Sequence, residues 1–207
     1  MPLTKVDNLI QVPERSAFKL KYKDIFDIKA LYTFIRDYLV ENGWYDEVEG
    51  PGSDHWETYN GEKIDAGGSR EIWMYWSLVK DAEGAPLRYY LDFNFHALGL
   101  SDAEVIKDGK KLKVNKGELE FTYTAYIEKR YEKEFSTSGF LSSFKDLFTN
   151  RVYRQDLEVR KKELYQEMYV LNNYLKQWLK FKHHLPYEEV KGFYRSFAWP
   201  SHLKDEE

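Results

Sequence analysis

The chain has 207 residues, 31 Lys+Arg against 35 Asp+Glu, and a net charge of −4 with its histidines neutral. That length fits one large domain or two small ones and builds a core without a metal or a disulfide. The absence of cysteine excludes a disulfide framework, Cys-ligated zinc, iron–sulfur clusters and thiol catalysis, and the small net charge argues against a general polyanion binder. The opening MPLTKVDNLIQVPERS lacks an apolar h-region, and no stretch approaches a membrane span. The expectation is a soluble, cytoplasmic protein. Charge is uneven: residues 41–71 hold nine acids against Lys63 and Arg70, whereas residues 129–207 are slightly basic.

Residues 1–16 show no clear period and read as an arm. Phe18, Leu20 and Tyr22 then alternate with Lys19, Lys21 and Lys23, the pattern of a half-buried strand with a lysine face. Ile28, Leu31, Ile35, Tyr38 and Leu39 fall at helical spacing behind Asp24 or Asp27, and Gly43 stops them, which predicts a helix over 25–42. Asn60-Gly61 suits a type I′ turn, so Trp56–Tyr59 and Glu62–Asp65 are expected to form a small hairpin. Glu71–Val79 is apolar on both faces, as a covered strand is. Leu87–His96 sets Leu87, Tyr89, Leu91, Phe93 and Phe95 on one face. Asp108-Gly109 is expected to turn a hairpin between Ala103–Lys107 and Lys110–Val114. A second turn at Asn115–Gly117 then leads into the strand Glu118–Glu128, with Leu119, Phe121, Tyr123, Ala125 and Ile127 inward.

The period then changes. Phe140, Leu141, Phe144, Leu147 and Phe148 mark a short helix. Leu157, Leu164, Leu171 and Trp178 recur every seven residues, with Met168 and Leu175 beside them, and predict a helix of roughly 28 residues ended by Pro186. Lys176, Lys180 and Lys182 suit its C-terminal dipole. The fold class is α+β: an antiparallel meander sheet packed on a long C-terminal helix, with an N-terminal strand and helix. This order resembles that of helix-grip folds such as START-type lipid-transfer domains, in which a curved sheet wraps a long C-terminal helix. The resemblance is one of topology and carries no residue across. The division expected is an arm (1–16), one α+β domain (17–185) and a C-terminal tail (186–207) whose Phe193, Tyr194, Phe197 and Trp199 must dock somewhere.

Candidate sites each carry a plainer alternative. Arg88, Tyr90, Asp92, Asn94 and His96 leave one strand face at two-residue spacing. They could fix a polar ligand head or, through Asp92, Asn94 and His96, meet a divalent ion. The alternative is the solvated side of an ordinary strand. Lys107, Lys110, Lys111, Lys113 and Lys116 crowd one hairpin and could touch phosphates. The alternative pairs Lys113 with Glu118 and Lys111 with Glu120 across the Asn115–Gly117 turn. His183-His184 and Ser142-x-x-Lys145 read as helix-end placement and chance. There is no Walker loop, G-x-G-x-x-G, H-E-x-x-H or G-x-S-x-G, and no cofactor is implied.

The function expected is therefore a non-enzymatic interaction or assembly protein, a homo-oligomer. Its interface residues are Leu157, Leu164, Leu171, Trp178, Phe193, Tyr194, Phe197 and Trp199, although the heptad suits a core stripe equally well. A carrier or sensor of an apolar small molecule between sheet and helix is the alternative. RNA or ribosome contact through the lysine hairpin comes third.

Overall fold

The computed structural model describes residues 9–53, 55–107, 110–130 and 153–179. Seven strands form one antiparallel sheet: β1 (Ile10–Val12), β2 (Phe18–Phe26), β3 (Tyr45–Asp46), β4 (Tyr59–Ile64), β5 (Arg70–Asp81), β6 (Leu87–Lys107) and β7 (Lys110–Lys129). Two helices, α1 (Ile28–Glu41) and α2 (Tyr153–Trp178), are described with it. The order across the sheet is β1-β7-β6-β5-β3, with β2 also on the outer side of β7 and β4 also on that of β5. The predicted α+β architecture is observed, and the arm expected over 1–16 contributes β1, whose Val12 lies opposite Ala125 and is buried.

Asp27 caps α1, its carboxylate accepting from the Lys29 and Ala30 amides at 3.0 Å. Gly43 leaves the helix at φ 80, a left-handed position where glycine carries no Cβ penalty. Leu31, Ile35 and Leu39 stand one turn apart and are at most 1% exposed. From α2, Leu164, Met168, Leu171 and Leu175 are equally buried, so both helices pack their apolar stripes on the same sheet face. Across that face runs a row of rings from four neighbouring strands. Trp76 stacks on Phe93 at 5.5 Å, Phe93 on Tyr123 at 5.4 Å, and Tyr123 on Phe18 at 5.3 Å. Between the helices, Tyr174 stacks on Phe34 at 4.5 Å, and Trp178 lies against the same ring.

Three local expectations are corrected. Asn60-Gly61 is not a turn. Residues 59–64 form one strand along β5, with Gly61 opposite Trp73 and covered by the Tyr59 ring. The reversal comes at Asp65–Ser69, where Asp65 Oδ1 accepts from the Gly67 and Ser69 amides and Gly68 takes φ 78. Asn115–Gly117 is not a turn either: β7 runs straight through it. Gly117 is needed there for close approach, since a Cβ on it would lie 2.9 Å from the Leu98 carbonyl oxygen. The strands expected over 87–96 and 103–107 are one strand, broken in register between Leu98 and Ser101, with Gly99 at φ 60 supplying the left-handed residue a bulge of this kind uses. The Lys107–Lys110 pairing bears out the hairpin about Asp108-Gly109. The short helix 140–148, Lys180, Lys182 and Pro186 lie outside the described residues.

Candidate functional site

Because β6 alternates, burying Leu87, Tyr89, Leu91, Phe93 and Phe95 under the helices sends Arg88, Tyr90, Asp92, Asn94 and His96 to the opposite face. The solvated-strand alternative holds for Asn94, which is exposed. It fails for Tyr90 and Asp92, which are 6% and 8% exposed. A buried polar group needs a partner, and the neighbouring strands provide them.

Asp92 accepts from the Tyr75 hydroxyl at 2.6 Å, and burial pushes its carboxyl above the ordinary range against that bond. Tyr90 donates to Glu128 at 2.8 Å; burial, and then the carboxylate, push its phenol up to about 12. Ser77, directly opposite Asp92, donates to Glu47 at 3.2 Å. The row Ser77–Asp92–Thr124 crosses three strands, with every member at most 9% exposed. At the turn end, Arg88 holds Asp81 through Nε at 2.9 Å, and the Tyr45 hydroxyl adds a bond at 2.8 Å. The guanidinium first, and then the phenol, keep the Asp81 carboxyl below its ordinary value. At the other end His96 stacks on Trp73 and meets Glu71 at 2.9 Å through Nε2.

The five predicted residues thus occupy three separate settings rather than one. Asp92 is partnered by Tyr75 and His96 by Glu71, and Asp92 does not orient the imidazole. Among the described residues no three His, Asp or Glu side chains are placed to hold one metal ion. Ser77 is paired with a carboxylate, not with a base that would activate it as a nucleophile. Sequence reasoning missed Tyr75, Ser77, Glu47 and Glu128. Tyr75 and Ser77 share one parity of β5, and Glu128 sits on the non-core parity of β7, but the register that joins them to β6 is a tertiary fact.

The lysine hairpin is a projecting ribbon. Among the described residues, β6 past Leu100 and β7 before Asn115 pair only with each other. Lys111 lies 3.5 Å from Glu104, and Lys113 lies opposite the same residue. The expected partners Glu118 and Glu120 instead pair with Lys23 and Lys21 of β2, because β7 continues straight and brings them opposite that strand. Lys116 stands at the ribbon base, in a cleft of about 540 Å³ that also holds Lys23, Asp24 and Glu118. The side chains of Lys107 and Lys110 lie outside the described residues.

Of the expected interface residues, Leu164 and Leu171 are 1% exposed within this one chain, and Leu157 and Trp178 are half-buried. The inner stripe of α2 is therefore occupied by its own sheet and by α1. Phe193, Tyr194, Phe197 and Trp199, like Ser142, Lys145, His183 and His184, lie outside the described residues. Sequence reasoning missed the outer side of α2, where Val159, Tyr165, Tyr169 and Val170 are 43–48% exposed. No described helix is long and apolar enough to cross a membrane. No protein-family model matches the chain, and no curated protein or solved structure matches it.

Proposed function

We propose that this is a non-enzymatic assembly protein that self-associates through the C-terminal helix and the aromatic tail. One observation carries the reading. The inner stripe of α2 is consumed by the core, yet its outer side still presents Val159, Tyr165, Tyr169 and Val170. A helix with apolar residues on two sides is covered on two sides in its working state. Aromatic side chains of this kind are usual energetic centres of interfaces. The pairing of each buried carboxylate with a phenol or hydroxyl gives the opposite sheet face a structural role and leaves catalysis without a constellation.

Size-exclusion chromatography with light scattering tests the reading. The full-length protein is expected to run as an oligomer. Tyr165→Ser with Tyr169→Ser, and separately Phe197→Ser with Trp199→Ser, are expected to shift it toward the monomer. A full-length protein that stays monomeric at high concentration defeats the proposal.

A second reading, a carrier of an apolar small molecule, draws on Trp76 Nε1, Tyr123 Oη and Asn172 Oδ1. These are buried polar atoms without a hydrogen-bond partner among the described residues. Tyr123 and Asn172 are neighbours outside hydrogen-bond geometry, and a polar group placed between them would satisfy both. Native mass spectrometry of the purified protein is expected to show a co-purified mass under this reading, and repeatedly empty protein removes it. Contact with nucleic acid has less support, because Lys111 and Lys113 share Glu104 while Lys116 neighbours Glu118.

A further inference from the structure

Two exposed aliphatic side chains stand far apart in the molecule, each surrounded by charge of opposite sign. Ile106 of the ribbon is 71% exposed, lies directly opposite Lys111, and shares its ribbon face with Lys113. Residues 105–113 carry four lysines against Asp108, a basic tip on a chain whose net charge is −4. Val48, in the loop after β3, is 85% exposed, the most exposed large apolar side chain described. Residues 41–49 hold Glu41, Asp46, Glu47 and Glu49 and no Lys or Arg. The loop is shaped to present Val48. Asp46 is buried, and its Oδ1 accepts from the Val48 and Glu49 amides at 2.8 Å each, closing a tight turn with Val48 and Glu49 outermost.

We propose that the ribbon tip of one copy docks on the Val48–Glu49 loop of a second copy, Ile106 against Val48 and Lys111 and Lys113 against Glu49 and its acidic neighbours. This rests on the self-association reading above and names a contact separate from α2. The two patches cannot meet within one chain. Asp46 lies beside Leu78, whose partner on β6 is Leu91, and the tip at Lys107 is a further 16 residues along that strand, about 50 Å at ~3.3 Å per residue. A second copy offers both an exposed aliphatic group and carboxylates, whereas a phosphate backbone offers nothing to Ile106. Unlike patches at opposite ends make a head-to-tail contact, which propagates into a ring or an open row of subunits. So small a contact is weak and salt-sensitive.

Sedimentation velocity on the full-length protein tests this with two charge-reversed forms. Tip reversal is Lys111→Glu with Lys113→Glu; loop reversal is Val48→Lys with Glu49→Lys. Each form alone is expected to associate roughly tenfold more weakly or worse, because like charges then face each other. An equimolar mixture is expected to recover, since the reversed tip of one form now meets the reversed loop of the other. Ile106→Ser, at a site too exposed to disturb the core, is expected to weaken association without changing the melting temperature. Association unaffected by loop reversal, or a mixture that fails to recover, overturns this contact while leaving self-association standing. A wild-type protein that is monomeric at every concentration removes both.

Discussion

Gly117 and Gly61 are both strand glycines, yet they answer differently to an added methyl group. At Gly117 the new Cβ meets main chain: the Leu98 oxygen at 2.9 Å and the Gly99 oxygen at 3.3 Å, with Leu100 Cδ2 at 3.0 Å. Main chain at a bulge cannot step aside, so Gly117→Ala is expected to cost about 1–3 kcal/mol. At Gly61 the obstruction is the far end of the Tyr59 side chain, which is largely exposed and free to swing away. Gly61→Ala is expected to stay within about 0.5 kcal/mol of the parent. Urea denaturation of the two variants checks the contrast, and equal losses would refute it. Both glycines follow an Asn, directly or within two residues, and that resemblance to turn sequences misdirects sequence reasoning. What distinguishes them is the neighbouring strand, which local pattern does not contain.

Asp92 gives the second prediction at this scale. Burial raises its carboxyl pKa and the Tyr75 hydroxyl offsets only part of that, so the folded protein holds this proton more tightly than the unfolded chain does. The stability this group contributes is full below the ordinary carboxyl range of about 4 and is lost as pH rises through its folded value. Asp92→Asn keeps an acceptor for Tyr75 and cannot ionise. Wild-type stability relative to Asp92→Asn is therefore expected to fall between roughly pH 4 and neutrality. Urea midpoints across that range check the sign, and a difference independent of pH would show that the carboxyl is not buried as described.

At the scale of elements, α2 has two apolar sides with different consequences. Leu171 lies in the core at 1% exposure, and Leu171→Ala is expected to cost about 2–5 kcal/mol. Tyr169 is 48% exposed, and Tyr169→Ser is expected to leave the stability of the monomer within about 0.5 kcal/mol while weakening association. A thermal melt at low protein concentration, read beside light scattering at high concentration, separates the two effects. A large stability loss from Tyr169→Ser would mean that its ring packs on its own chain. The inner stripe was legible in the sequence because a seven-residue recurrence of Leu and Trp is a helical face whatever lies against it. Whether that face met a sheet or a second subunit was not legible. The answer depends on residues distant in sequence: Glu167 bonds the Trp44 indole at 2.7 Å and pairs with Lys80 at 3.0 Å, fixing α2 to the loop before β3 and to β5. No spacing rule connects those three positions.

For the molecule as a whole, the aromatic content first suggests more rings than one domain can hide. Much of it is spent inside: the row from Trp76 to Phe18 lines the sheet, and Tyr32 and Trp56 meet Trp76 edge-on. The architecture was legible because alternation in β6 and β7 and periodicity in α1 and α2 agree on one shared buried face. The polar site was legible only as a parity, since its partners lie on other strands. What remains uncovered is the outer side of α2, the ribbon tip and Val48, and these bear on stability as well as on association. If copies associate only when folded, mass action adds to the apparent stability of each. Above the dissociation constant, a tenfold rise in concentration contributes about 1.4 kcal/mol per copy at most, or about 3–5 °C for a chain of this length. Differential scanning calorimetry over two decades of concentration is expected to show the melting temperature climbing by that order. The climb should shrink in the Tyr165→Ser, Tyr169→Ser protein, which loses the contact but keeps its core. A melting temperature that ignores concentration in the wild type would mean that these apolar groups face water in the working protein, leaving self-association without its physical cause.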